Sequence, residues 1–116
     1  MKKGINDVKE NKQYFAVVTK KGIIKLKMCD ILYFEKELRR IHVHTLQNVY
    51  SFYGSFKYLE TMIDERFCRC HYSFIVNLNK IDKMERHLLY LENGETLTVS
   101  QRLYPYTKKR FQAFLR

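Results

Sequence analysis

The sequence lacks three features that would place the chain in or beyond a membrane. No stretch approaches the roughly 18 consecutive apolar residues of a membrane helix. The N-terminus, MKKGINDVKENKQ, carries basic residues but no apolar segment after them, so it is not a secretory signal. Only Cys29, Cys68 and Cys70 are present, and this odd number argues against a disulfide framework and for a reducing cytoplasm.

Sequence motifs of catalysis are also missing. The chain contains no Gly-rich phosphate loop, no G-x-S-x-G elbow and no His-Glu-x-x-His segment. Carboxylates such as Glu35 and Glu37 stand among basic residues and are more simply explained as their solvated partners. No set of residues has assignable acid, base and nucleophile roles. The sequence therefore predicts neither an enzyme nor a cofactor.

Acidic residues are scarce relative to basic ones. Twelve Asp plus Glu stand against 22 Lys plus Arg, which gives a net charge of +10. Such an excess on a small domain indicates a polyanionic partner. Nucleic acid is the leading candidate, and an anionic membrane surface is the second.

The 116 residues predict a single domain. Residues 1–13 are polar and are predicted to be a flexible N-terminal segment, so the folded domain is expected over residues 14–116. Short alternating or apolar segments predict strands. They cover residues 14–19, 22–28, 31–36, 40–45 and 48–53, with further extended segments around FCRCH and SFIVN.

Two helices and a closing hairpin complete the expected fold. Ser55 is a good N-cap for a helix over 56–64, and Pro105 can start a final helix. The apolar residues expected to face inward are Phe56, Leu59, Met62 and Ile63 in the first helix, and Phe111, Phe114 and Leu115 in the last.

In the closing segment LLYLENGETLTV, Asn93-Gly94 offers both positive-φ positions of a type I′ turn. That register pairs Tyr90 with Leu97 and Leu88 with Val99 on one face. The pattern shows no βαβ alternation. It predicts a mainly β, compact antiparallel fold with one short central helix and a C-terminal helix.

Basic and polar side chains cluster where predicted strands end. The clusters are Lys36, Arg39 and Arg40; Arg69, His71, Tyr72 and Ser73; and Gln101 and Arg102. Loops held by a rigid sheet commonly carry binding groups. If the three connections meet at one edge, they form a row of donors suited to phosphates and base edges.

A metal site is the sharper alternative. Cys68 and Cys70 share a strand face, and so do His42 and His44, which would allow a tetrahedral Cys₂His₂ zinc site. The C-x-C and H-x-H spacings are not those of zinc fingers, however, and strand thiols are more often small core residues. A metal- or thiol-based sensor module stays open as an alternative, and no metal ligand set is assigned.

The segment RCHYSFIVNLNKI, residues 69–81, resembles the signature R-x-H-x-S-[FY]-x-V-N-x-x-x-I of the LytTR family of bacterial DNA-binding domains. Three other segments fit the family in order: DILYFEKELRRIHVHT resembles its opening strand pair, SFYGSFKYLETMIDERFCRCH its helix and the approach to the signature, and LENGETLTVSQR its closing hairpin and last base-reading arginine. The resemblance runs from about residue 14 to the C-terminus.

The resemblance implies a DNA-binding β fold rather than a helix-turn-helix, with loops that read successive major grooves on one face of the duplex. It implies base contacts at Arg39 or Arg40, at Tyr72 and at Arg102. It implies phosphate contacts at Lys36, Lys57, His71, Ser73, Ser100 and Gln101. For His71 the alternative is a structural role, in which a hydrogen bond from the ring braces the loop.

The implied partner is double-stranded DNA with promoter repeat sites, bound by a cytoplasmic response-regulator effector domain of a two-component system. A receiver domain or a second copy on DNA are possible further partners, and no membrane contact is expected. A module that binds single strands or RNA through its aromatic side chains is a further alternative.

Overall fold

The computed structural model describes residues 12–116 and contains ten strands and two α-helices in that range. The strands are β1 (Tyr14–Thr19), β2 (Gly22–Lys27), β3 (Ile31–Glu37), β4 (Arg40–Thr45), β5 (Val49–Tyr53), β6 (Phe67–His71), β7 (Phe74–Asn77), β8 (Ile81–Glu85), β9 (Leu88–Leu91) and β10 (Thr96–Thr98). The helices are α1 (Phe56–Leu59) and α2 (Tyr104–Phe114), and short 3₁₀ turns lie at Met28–Asp30 and Leu78–Lys80.

All strand pairs are antiparallel and form three sheets. The central sheet has five strands in the order β5-β4-β3-β7-β6. Strands β1 and β2 form an outer hairpin, and β10-β9-β8 form a small three-stranded sheet. This arrangement confirms the prediction of a mainly β, antiparallel fold with a short central and a C-terminal helix.

The central sheet is buried on both faces around β3. Ile31 and Phe34 pack in one cluster with the outer hairpin and α1, while Leu32 and Tyr33 pack in a second cluster with the small sheet. A continuous apolar run of strand length is typical of a strand covered on both sides. Burial on two faces fixes β3 firmly and gives the adjoining strand ends a rigid base.

The predicted register of the closing hairpin is wrong. Leu89 pairs with Leu97 and Leu88 pairs with Thr98, so Leu89 is buried and Leu88 is exposed. The turn holds one residue more than a type I′ turn, since the Leu91 N–H donates to the Glu95 carbonyl and the Gly94 N–H to the Leu91 carbonyl. Gly94 alone of the Asn-Gly pair has positive φ. A shift of one residue exchanges the two faces of a strand.

Helix α1 is shorter than predicted. Its N-cap is as expected, because the Tyr58 N–H donates to Ser55 Oγ at 3.2 Å. The helix ends at Leu59 rather than continuing to residue 64, because both the N–H and the hydroxyl of Thr61 donate to the Tyr58 carbonyl and form a tighter turn. Met62 and Ile63 still pack against the first core cluster from this turn.

The sequence predicted that the last turn of α2 faces inward, and this prediction is wrong. Phe111 packs on the second core cluster, but Phe114 and Leu115 are exposed. Arg110 faces the sheet instead, because its guanidinium donates to the Glu65 carbonyl at 2.7 Å and to the Phe67 carbonyl. No helix within residues 12–116 is long and apolar enough to cross a membrane.

The predicted N-terminal segment over residues 1–13 lies outside the described residues except for its last two. The Lys12 N–H donates to Asp64, and the Gln13 carbonyl accepts from the Met28 N–H at 2.8 Å. The predicted boundary between this segment and the domain stays a prediction.

Candidate nucleic-acid interface

The predicted basic connections meet at one end of the central sheet. Glu37 pairs with Arg40, Arg40 with Tyr53, and His71 with Phe74, so β3, β5 and β6 end where β4 and β7 begin. The connection after β10 joins them, because the Ser100 N–H donates to the carbonyl of Cys70 at 2.9 Å. Side chains from distant parts of the sequence therefore share one edge.

The first connection, Glu37–Arg40, is here termed the open turn. Its two central residues are Leu38 and Arg39, between the paired residues Glu37 and Arg40. Leu38 has φ of 57° and is 87% exposed. The Arg39 carbonyl accepts from the Gly54 N–H at 3.0 Å, which ties the turn to the end of β5. Within residues 12–116 the Arg39 guanidinium has no hydrogen-bond or ion-pair partner, so its donors face solvent.

Arg40 differs from Arg39 although the two are neighbours. Its guanidinium lies over the ring of Tyr53, with the carbon 4.9 Å from the ring centroid. Tyr53 is the cross-strand partner of Arg40 and is 74% exposed. The attraction between a cation and an aromatic ring favours this orientation of the guanidinium. Arg40 is thus oriented before any ligand arrives, and Arg39 is free to reorient.

The second connection, His71–Phe74, is here termed the braced turn. Arg69 donates to the Tyr72 carbonyl at 2.8 Å and to the His71 carbonyl at 3.3 Å. His71 Nδ1 accepts from the Ser73 N–H at 3.0 Å, and this is the bracing role foreseen for His71 as the alternative to a phosphate contact. The Arg69 guanidinium also covers the ring of Phe56 at 4.8 Å. These bonds fix the backbone of the turn from within the chain.

Lys36 links the two turns. Its backbone N–H donates to the Ser73 carbonyl at 2.8 Å. Its ammonium donates to the Tyr72 hydroxyl at 3.3 Å and lies 4.7 Å from the centre of that ring. The phenol of Tyr72 is otherwise exposed. The pair presents a cation and a hydroxyl together at the edge.

The third connection follows β10 and contains Ser100, Gln101 and Arg102. Ser100 Oγ accepts from the Leu103 N–H at 3.2 Å, which starts the turn that leads into α2. The Val99 N–H donates to the His87 carbonyl, so the backbone before the turn is pinned to the small sheet. Gln101 and Arg102 are exposed. In the part of the chain that the structure describes, the Arg102 guanidinium has no hydrogen-bond or ion-pair partner, so it stands free on a fixed backbone.

Lys57, the remaining predicted phosphate contact, is exposed on α1 next to Phe56. The structure thus brings the predicted site residues other than Lys57 to one end of the central sheet, and Lys57 lies on the helix that follows β5. Their individual roles toward DNA stay predictions.

Sequence reasoning missed Tyr53 as the ring under Arg40 and Arg69 as the brace of its own turn. The Tyr53 contact was predictable from the sequence, because pairing segment 40–45 with 48–53 across Leu46-Gln47 places Tyr53 opposite Arg40. Nothing local in the sequence shows that the Arg69 fork turns back to two carbonyls of the following turn. That contact needs the bulge that the structure has between Arg69 and His71.

The cysteines and histidines proposed as an alternative metal site are used separately. Cys68 and Cys70 are buried in the second core cluster. Burial raises the pKa of the Cys70 thiol to about 12, and the neighbouring Cys68 adds to the rise. His42 and His44 instead lie 2.8 Å from Glu37 and Glu35. Among the described residues no group of three or more His, Cys, Asp or Glu side chains could hold a metal ion.

Comparison with known proteins gives a consistent result. The family model described as the LytTr DNA-binding domain matches residues 21–112. A solved structure described as the LytTr DNA-binding domain of a putative methyl-accepting/DNA response regulator from Bacillus cereus superposes with a TM-score of 0.74 at 30% identity, covering 85% of this chain and 96% of that chain.

Curated relatives include two proteins named accessory gene regulator protein A. The one from Staphylococcus epidermidis is 40% identical over 78 residues, and the one from Staphylococcus aureus is 38% identical over 78 residues. Each alignment covers 63% of this chain and 32% of the relative, so the chain spans about a third of the length of these proteins. The resemblance found at residues 69–81 is confirmed, and the chain belongs to the LytTr DNA-binding domain family.

Proposed function

We propose that the chain reads double-stranded DNA sequence-specifically, as the effector domain of a bacterial transcription regulator. The observation that carries the proposal is the convergence of the open turn, the braced turn and the Ser100–Arg102 connection on one edge of a rigid sheet. Each brings a cation or a hydroxyl on an anchored backbone. Loops spaced along one edge suit successive grooves on one face of a duplex.

Arg39 and Arg102 are the proposed base readers. Both guanidinium groups are exposed, and guanine offers O6 and N7 as acceptors for a bidentate fork. Each good bidentate contact contributes about 1–3 kcal/mol of discrimination against the wrong base. Tyr72 presents a hydroxyl to the same edge and is the third proposed base contact.

Arg40 is assigned to the DNA backbone rather than to a base. Its guanidinium is held over Tyr53 at the strand end, while Arg39 stands free at the tip of the turn. A prepositioned cation suits a phosphate, whose place along a duplex does not depend on sequence. The further proposed phosphate contacts are Lys36, Lys57, His71, Ser73, Ser100 and Gln101, and all of them except Lys57 line the same edge.

Single-stranded nucleic acid is the less favoured partner. Tyr53 and Tyr72 are exposed at the edge, but Arg40 and Lys36 each cover one face of these rings. Stacking of bases needs an open ring face, and each of these rings keeps at most one. We place this chain in a cytoplasmic two-component system, with a receiver domain or a second copy as partner at promoter repeats. The support is that the relatives are named as gene regulators and that the matching B. cereus domain belongs to a putative response regulator.

The test is selection of bound duplexes from a random pool, followed by gel-shift titration of the selected duplex, a scrambled duplex and each single strand. The selected duplex should bind best. If about five phosphates are neutralised, log K should fall against log salt with a slope of about −4 to −5. Equal binding of all probes, or binding that is insensitive to salt, would contradict the proposal.

Arg102→Ala sharpens the test. The selected duplex should lose about tenfold or more in affinity and the preference at one base position should relax, while Arg102→Lys keeps most of the salt dependence without the discrimination. Lys108→Ala, an exposed position on α2, is the matched control and should affect all duplexes equally. If Arg102→Ala weakened selected and scrambled duplexes by the same factor, Arg102 would be a phosphate contact.

A further inference from the structure

Leu38 is the most exposed large apolar side chain of the open turn's edge, and its backbone is strained. Its φ of 57° lies in the left-handed region, which disfavours a residue with a branched side chain. The side chain is 87% exposed, so burial against the described part of the chain contributes almost no stabilising free energy. Glycine or asparagine would satisfy this backbone better. A residue that is unfavourable on both counts indicates a use outside the chain.

The surroundings of Leu38 restrict what its partner is. Arg39 and Arg40 follow it directly, and Lys36 lies on the strand before it. The Glu37 carboxylate between Lys36 and Leu38 lies 2.8 Å from His42, so the cations dominate the rim. A cationic rim of this kind repels the apolar patch of another basic protein and attracts a polyanion. A duplex carries one apolar group on a base edge in its major groove, the C5-methyl group of thymine.

From this arrangement we infer that Leu38 reads thymine through van der Waals contact of its isobutyl group with the C5-methyl. The inference rests on the proposed function and deepens it, because it adds an apolar reader to a surface otherwise made of hydrogen-bond donors. Leu38 stands beside Arg39 at the tip of a two-residue loop, so the two side chains would read neighbouring base pairs. The ligand class is a pyrimidine with a methyl group at C5.

The experiment replaces each thymine of the selected duplex, one at a time, by deoxyuridine, which removes only the methyl group. The wild-type chain should lose about three- to fivefold in affinity at one or two thymines, the loss expected for one methyl group taken out of an apolar contact. Leu38→Ala should bind the thymine duplex about three- to fivefold more weakly and should no longer distinguish deoxyuridine there.

Leu46→Ala is the matched control. Leu46 is also an exposed leucine in a hairpin turn, but it lies between β4 and β5 at the opposite end of the central sheet. Its replacement should leave both the affinity and the thymine preference unchanged. Leu38→Asn, which suits the same backbone, should behave as Leu38→Ala and shows that any loss does not come from a disturbed turn.

The outcomes separate the two proposals. Specific binding with no sensitivity to deoxyuridine at any position overturns the role of Leu38 and leaves the proposed function standing. The same conclusion follows if Leu38→Ala discriminates as well as the wild-type chain, or if Leu38→Ala weakens thymine and deoxyuridine duplexes by the same factor. Failure to select any preferred duplex would overturn both.

Discussion

The open turn and the braced turn connect neighbouring strands of the same sheet at the same end, yet they hold their side chains in opposite ways. In the braced turn the polar side-chain atoms of Arg69 and His71 form hydrogen bonds with the turn's own backbone. In the open turn Leu38 and the guanidinium of Arg39 face solvent, and within residues 12–116 the backbone is held by strand pairing and by one bond from Gly54. One turn is stabilised from inside, and the other offers its side chains outward.

The difference explains why a buried strand is preceded by so many polar groups. Arg69 and His71 are half-buried and make the bonds that shape the turn, so much of the motif R-x-H-x-S builds a local structure. Tyr72 is the exposed member of that group. A direct contact of His71 with DNA stays a prediction, whereas its hydrogen bond to Ser73 is present in the structure. The signature thus shapes a turn that leaves Tyr72 exposed.

Thiol labelling gives the largest expected contrast. Cys70 lies in β6 just before the braced turn and is buried, whereas Cys29 is exposed. Because thiolates react and burial raises the pKa of Cys70 to about 12, Cys70 should label at least about a hundredfold more slowly than Cys29 at neutral pH. Mass spectrometry of the folded chain should therefore show one fast thiol. A second fast thiol would mean that the region of the braced turn opens readily.

Removal of the brace is expected to have the next largest effect. Arg69→Ala deletes two hydrogen bonds to carbonyls and the contact with Phe56, and it should lower the free energy of unfolding by about 2–3 kcal/mol. Arg69→Lys should recover little of this, because an ammonium lacks the planar fork. Urea denaturation measures both.

Arg39→Ala is the control for the brace. It removes the same side chain from the open turn and should change the free energy of unfolding by less than about 0.5 kcal/mol. Equal losses for Arg69→Ala and Arg39→Ala would mean that the two turns do not differ in how they are held.

The parts of the fold that the sequence predicted well are those with one dominant signal. The strands over 40–45 and 48–53 and the Ser55 cap follow from apolar patterning and from capping chemistry, and all are present. The type I′ turn at Asn93-Gly94 was wrong because an Asn-Gly pair also suits a three-residue turn, and a difference of one residue exchanges the faces. Local sequence does not distinguish the two turn types. The burial of Leu89 and Leu91 in the folded chain selects the three-residue turn.

The candidate site was predictable as a list of residues but not as a set of roles. Donors at strand ends are visible in the sequence, and the structure gathers them. The division between residues that hold a turn and residues that face outward depends on contacts such as those of Arg69 with carbonyls and of Arg40 with Tyr53. These contacts follow from strand pairing and a bulge, which are tertiary features.

The two arginines of the open turn give a test of intermediate size. Arg39→Ala should weaken binding of the selected duplex about tenfold and leave a scrambled duplex nearly unchanged, because a base contact is lost. Arg40→Ala should weaken both duplexes about equally and reduce the magnitude of the salt slope by about 1, because a phosphate contact is lost. Gel-shift titrations at several salt concentrations measure both. An exchange of these two patterns would reverse the assignment.

The smallest effect is also the most direct comparison of the turns, since one substitution is made in each. Leu38→Gly relieves a left-handed backbone that costs about 1 kcal/mol, and part of this gain is lost to the greater freedom of glycine in the unfolded chain. A net gain of about 0.5 kcal/mol is expected. Tyr72→Gly removes the contacts with Lys36 and should cost about 1 kcal/mol. Leu38→Ala keeps the strained φ and should be nearly neutral, so it separates backbone strain from side-chain loss. Urea unfolding of the three variants measures the signs, and a loss of stability in Leu38→Gly would mean that the leucine side chain stabilises the open turn.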